Sequence, residues 1–106
     1  MESSAPIYRA LADDTRLRIV TLLLEHNYCL SELACVLHVS ESAVSQHLDV
    51  LKEAGLLIDK KCGYCMHYDI NRKKLRMLAS TIFGMAALEC RVCTGFGGTD
   101  CSVVIR

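Results

Sequence analysis

The chain has 106 residues, 52% of them hydrophobic, and its 12 basic side chains balance 12 acidic ones to a formal net charge of zero. That length holds one small domain with a modest core, which a subunit partner would help to complete, and the hydrophobic content excludes disorder. A neutral balance excludes attraction to nucleic acid by overall charge, no apolar run approaches the ~18 residues of a membrane span, and the opening MESSAPIYRALADD lacks the order of a signal peptide, so a cytoplasmic protein without membrane contact is expected.

Ile7, Ala10 and Leu11 mark a short first helix after Pro6, and Asp13 or Asp14 is placed to cap the next one by accepting from its free amides. The second helix carries Leu17, Ile19, Val20, Leu23 and Leu24 as expected core. A third helix over residues 30 to 38 sets Leu30, Leu33, Val36 and Leu37 on one face at roughly 100° per residue, with Cys35 opposite, exposed or held in an interface. After a turn at His38 and Val39, Ser40 caps a fourth helix whose Val44, Leu48 and Leu51 follow i, i+4, i+7, and Gly55 supplies its left-handed cap. The period then changes: Leu57, Ile58, Met66, Tyr68 and Ile70 belong to two short strands around the two-residue turn Gly63-Tyr64. A last helix from Arg72 carries Leu75, Leu78, Ile82 and Met85 at spacings of three and four, a packing stripe with no later element to cover it. A second copy of the chain is expected there. Beyond Cys93, TGFGGTD is too rich in glycine for helix, and Ser102 to Arg106 reads as a short strand or loose tail.

Two helices joined by a tight turn, the second followed by a hairpin, form a winged helix-turn-helix, in which the second helix enters the DNA major groove. The expected fold is therefore mainly α with a small β-hairpin wing, homodimeric. One domain spans 1–106, with the helix-turn-helix at 30–55, the wing at 56–71, the dimerisation helix at 72–93 and a tail at 94–106. Opposite Val44, Leu48 and Leu51 the fourth helix shows Ser42, Ser45, Gln46 and, at its flank, His47, side chains suited to base edges where a merely solvated face would be rich in Lys and Glu. From Lys60 to Arg76, Lys60, Lys61, Arg72, Lys73, Lys74 and Arg76 outnumber the single acid Asp69, a surplus that suits phosphate contact and equally a solvated face.

The stretches LADDTRLRIVTLL, LSELACVLHVSESAVSQHLDVLKEAGLL and IDKKCGYCMHYDIN together resemble the ArsR/SmtB family of metal-responsive repressors over nearly the whole chain. The resemblance implies a winged-helix homodimer, not an enzyme, whose first and last helices form the interface and which leaves double-stranded operator DNA when an inducer binds. By position it implies base or phosphate contacts from Ser42, Ser45, Gln46 and His47, with Lys60 and Lys61 on the wing. The family's zinc sensors use Asp, His and Glu on the last helix, but no His follows His67 here. Its third-helix arsenic and cadmium sensors show Cys-x-Cys, of which Cys29-Leu30-Ser31-Glu32-Leu33 keeps only the first cysteine.

Seven cysteines, an odd number with two Cys-x-x-Cys pairs and no export signal, point to metal or redox chemistry rather than a disulfide scaffold. Cys90 and Cys93, three apart, would share one face of a helix, and Cys101 can return through the glycines as a third ligand. Thiolates are soft donors, and three of them suit pyramidal arsenite or antimonite especially well, ahead of cadmium, lead, copper(I) or zinc. Some arsenic sensors of the family carry a similar C-terminal trio. The alternative set Cys62, Cys65, Cys90 and Cys93 has zinc-like pairs, but a strand of about 20 Å at ~3.3 Å per residue and a helix of about 27 Å at ~1.5 Å per residue would hold the pairs apart. Two other functions stay open: a repressor that senses oxidants or reactive sulfur through a thiolate such as Cys29, and a thiol oxidoreductase, for which the βαβ context is missing.

Overall fold

A computed structural model describes residues 4–90 of the chain. Five helices and one hairpin follow in the order α1 (Ala5–Leu11), α2 (Asp14–Glu25), α3 (Leu30–Leu37), α4 (Glu41–Glu53), β1 (Leu57–Cys62), β2 (Cys65–Ile70) and α5 (Arg72–Ala86). This is the mainly helical, winged arrangement that the sequence leads one to expect. Among the described residues no helix is long and apolar enough to cross a membrane.

Local chemistry accounts for most boundaries. Asp13 satisfies one free amide in the first turn of α2, accepting from Arg16 N at 3.0 Å, and Ser40 Oγ does the same for α4 from Ala43 N at 3.0 Å. At the far end of α4, Gly55 adopts φ 81° while Gly55 N donates to Lys52 O and Leu56 N to Leu51 O, each at 3.0 Å. That pair of bonds is the Schellman closure, which a glycine adopts without steric cost. The same closure ends α3, with His38 N on Cys35 O and Val39 N on Ala34 O, but there the left-handed residue is His38 at φ 60°. A side chain in that region is strained by roughly 1–2 kcal/mol. The tight turn between α3 and α4 is therefore held by the core on both sides of it.

The core gathers Ile19, Val20 and Leu23 of α2, Leu33, Ala34 and Leu37 of α3, Val44, Leu48 and Leu51 of α4, and Leu56, Leu57 and Ile70 at the root of the hairpin. Two expectations fail in detail. Val36 is 38% exposed and Ala34 is buried in its place, because 30, 33, 34 and 37 form the true i, i+3, i+4, i+7 stripe. Leu17 is 47% exposed, on the flank of α2.

α5 is anchored only by its first turns. Asn71 caps it, accepting from Lys74 N at 3.1 Å while its Nδ2 donates to Gly55 O at 3.2 Å, and Arg72 Nη2 reaches Leu24 O at 3.0 Å. Leu78 is buried and its carbonyl accepts from Tyr8 Oη at 3.5 Å, but beyond it every residue of α5 is exposed. The helix was expected to run through 72–93. It closes at Ala86, so Cys90 stands outside it, while Cys93 lies outside the described residues.

Candidate nucleic-acid interface and thiol sites

Three buried residues at the helical period, Val44, Leu48 and Leu51, seat α4 against the core and so decide which face it turns outward. On that outward face Ser42, Ser45 and Gln46 are exposed, and among the described residues none of their side chains has a hydrogen-bond partner. Asp49 and Glu53 stand further along, also exposed. Glu41, in the first turn, is a third exposed acid on this helix; in this motif it is the first turns of the second helix that meet base edges.

His47 is placed differently from its three neighbours. It is half-buried, with Nδ1 3.3 Å from Arg16 Nη1, while Arg16 Nε donates to Ala10 O at 2.7 Å. A guanidinium only donates, so Nδ1 accepts and the ring's proton sits on Nε2. Arg16 thus ties α1, α2 and α4 together. Beside it the Asp13 carboxyl is held below its ordinary value, first by the Arg16 backbone N–H and then by the Arg16 charge. No spacing in the chain signals this link, since Arg16 and His47 lie on different helices and neither breaks the apolar pattern.

The hairpin presents Lys60 opposite His67 and Lys61 opposite Met66, both lysines exposed. As adjacent strand residues they face opposite sides of the wing. Lys60 lines a shallow cleft with His26, Asn27, Tyr68 and Asp69 at the end of α2. An exposed ion pair, Lys52 Nζ to Asp59 Oδ2 at 3.2 Å, joins α4 to β1 and helps set the wing's angle to the helix. Such a pair contributes at most about 1 kcal/mol.

Cys29 and Cys35 belong to α3 and its cap, Cys65 to β2 and Cys90 to the segment past α5. Cys29 caps α3, where its N–H donates to Glu32 Oε1 at 2.8 Å and its Sγ lies 3.3 Å from Ser31 Oγ. That backbone N–H, followed by the Cys29 thiol, holds the Glu32 carboxyl below its ordinary value. Cys29 also bridges in backbone to His67, whose Nδ1 is buried and has no partner among the described residues. Cys35 is exposed on α3, Cys65 is exposed at the wing tip, and Cys90 is exposed past α5. Cys93 and Cys101, the other members of the expected trio, lie outside the described residues. Among the described residues no three His, Cys, Asp or Glu side chains converge to hold a metal ion.

This arrangement has relatives. The family model described as "Bacterial regulatory protein, arsR family" matches residues 13–59. The "Arsenical resistance operon repressor" of Escherichia coli (strain K12) is 42% identical over 66 residues, which are 61% of this chain and 56% of that protein. The chain thus spans little more than half the length of that curated relative. Among solved structures, an ArsR-like transcriptional regulator from Rhodococcus sp. RHA1 superposes with a TM-score of 0.73 at 33% identity, covering 79% of each chain. The homodimeric winged helix-turn-helix DNA-binding domain of Mb0332 from Mycobacterium bovis does so with a TM-score of 0.64 at 26% identity, covering 77% of this chain and 76% of that one. With 79% of an ArsR-like regulator matched at 33% identity, and with the helix-turn-helix and wing in place, the chain belongs to the arsR family of bacterial regulatory proteins, which are transcriptional regulators and not enzymes.

Proposed function

We propose that this protein is a homodimeric transcriptional repressor, acting on operator DNA in the cytoplasm, that is released when a thiophilic metalloid or metal binds Cys90, Cys93 and Cys101. The observation that carries the DNA-binding part is the capped, core-seated α4 with Ser42, Ser45 and Gln46 unpaired on its outer face. On the wing Lys61 would meet the backbone, with Lys60, on the other side of the strand and beside the end of α2, able to do so only from the hairpin's opposite face. His47, tied to Arg16, would steady the helix and offer at most its Nε2–H to a phosphate. The exposed apolar half of α5 supports dimerisation, as does the homodimeric M. bovis relative. Two copies would set their α4 helices about 34 Å apart, in successive major grooves.

For the inducer, the support is the chemistry of the donor set and the arsenical-resistance repressor of E. coli among the relatives. Three sulfurs within twelve residues favour arsenite or antimonite over cadmium, lead, copper(I) or zinc, and Cys29 lacks the second thiol of a third-helix site. When bound, the ion would cross-link the segment after α5, next to the proposed interface, and so bias one subunit against the other. Cys90, exposed just past α5, is accessible for this.

The test is to select an operator from random duplex DNA and titrate its complex with arsenite, cadmium, zinc and copper(I). Release by arsenite at one ion per subunit is expected, with a coupling of about 5- to 150-fold in affinity. Cys90→Ser, Cys93→Ser and Cys101→Ser should each keep DNA binding and lose release. Release that survives all three substitutions but disappears in Cys29→Ser would move the sensor to α3. A second reading, release by peroxide or persulfide without metal, draws on Cys29, whose thiol stands at the first turn of α3 beside Ser31.

A further inference from the structure

The proposed switch leaves the two wing cysteines without a part. β1 and β2 pair in a register that makes Cys62 and Cys65 direct partners, closed by Gly63 and Tyr64. Gly63 has φ 61°, and among the described residues His38 alone of the non-glycines has a positive φ, so the tip has the pattern of a type II′ turn. Direct partners in an antiparallel ladder hold their Cα atoms about 4.5–5.5 Å apart. A disulfide spans Cα separations of about 4.4–6.8 Å. The backbone at the tip is therefore already at bridging distance, whereas a Cys-x-x-Cys in an extended segment, about 10 Å from end to end, would have to bend first. Cys65, Lys61, Gly63 and Tyr64 are all exposed, which leaves the tip open to small solutes.

We infer that Cys62 and Cys65 form a reversible dithiol–disulfide site, oxidised by low-molecular-weight disulfides of the glutathione type. One cysteine thiolate attacks a sulfur of the glutathione disulfide, forming a mixed disulfide and expelling one glutathione thiolate. The second cysteine thiolate attacks the protein sulfur of that mixed disulfide and expels the other glutathione. The protein dithiol loses two electrons and two protons, and one glutathione disulfide becomes two glutathione thiols. Because the closed loop is only a turn long, the bridge removes little chain entropy and stays reducible by excess glutathione. This site is distinct from Cys90, Cys93 and Cys101 and does not depend on an ion being sensed there.

The full chain serves for the test. It is equilibrated over a series of ratios of glutathione to its disulfide, quenched in acid, alkylated and cut with trypsin. Cleavage after Lys61 and Arg72 releases residues 62–72, whose only cysteines are Cys62 and Cys65. The expected result is a form of this peptide that carries no alkyl group and is lighter by two hydrogens, growing with the disulfide and disappearing under excess glutathione. A peptide that stays doubly alkylated, or carries only glutathione adducts or links to other cysteines, overturns the inference. So does an equal yield from chain unfolded in urea at the same ratio, since the register would then contribute nothing.

Discussion

Replacing Ile82 with aspartate should separate the subunits without unfolding either of them. Ile82 is 52% exposed in the single chain and lies beyond Leu78, the last buried residue of α5, so the core does not rely on it. Covering a whole aliphatic side chain contributes about 1.5–3 kcal/mol, so the exposed half of Ile82 has roughly 0.8–1.5 kcal/mol still to gain per subunit, or about 1.5–3 kcal/mol in a symmetric dimer. Losing that alone weakens association by about 10- to 150-fold, and desolvating a carboxylate on each side adds to the loss. Phe83, Met85 and Leu88, at 77%, 65% and 78% exposure, extend the same apolar end and would be left uncovered with it. Sedimentation across a concentration series measures the dimer constant, circular dichroism checks the fold, and operator binding should weaken in parallel. An Ile82→Asp chain that stays dimeric at parental concentrations, or one that becomes monomeric yet holds a full operator as tightly as the parent, would refute this account of α5.

Gln46→Ala or Ser45→Ala should cost about 1–3 kcal/mol on the selected operator and almost nothing on random DNA, whereas Lys61→Ala should weaken both and flatten the salt dependence; equal losses on both DNAs for Gln46→Ala would make it a backbone contact. His38→Gly should stabilise the fold by up to about 1 kcal/mol in urea unfolding, as relief of the left-handed strain outweighs the extra freedom of glycine in the unfolded chain. A destabilised variant would mean that the His38 side chain contributes more than its backbone costs. Asp13 and Glu32 both have folded-state pKa values below their ordinary ones, so the stability they add is present above their unfolded values and is lost as pH falls through the folded ones. The melting temperature should accordingly drop below about pH 4, and drop less in Asp13→Asn, whose amide oxygen still caps α2 without titrating; an identical acid profile would remove Asp13 as a cause.

What the sequence determined by itself was everything set within a few residues of chain. Asp13 and Ser40 cap because their short oxygens reach amides three residues on, Gly55 closes α4 because glycine takes the left-handed turn there without steric cost, and Gly63-Tyr64 makes the hairpin whose register follows from its length. The outward face of α4 was legible too, since Val44, Leu48 and Leu51 leave Ser42, Ser45 and Gln46 only one side to occupy. Only the tertiary structure decided how neighbouring faces share their contacts. Small Ala34 replaces Val36 in the core because α3 turns residues 30, 33, 34 and 37, and not 36, toward its neighbours, whatever the hydrophobicity of Val36. His47 is drawn to Arg16 across two helices, a meeting that no spacing in the chain encodes. The end of α5 at Ala86 was likewise hidden, because past Leu78 nothing in the single chain packs on the helix, and a stripe of apolar residues carries no mark of where its support stops.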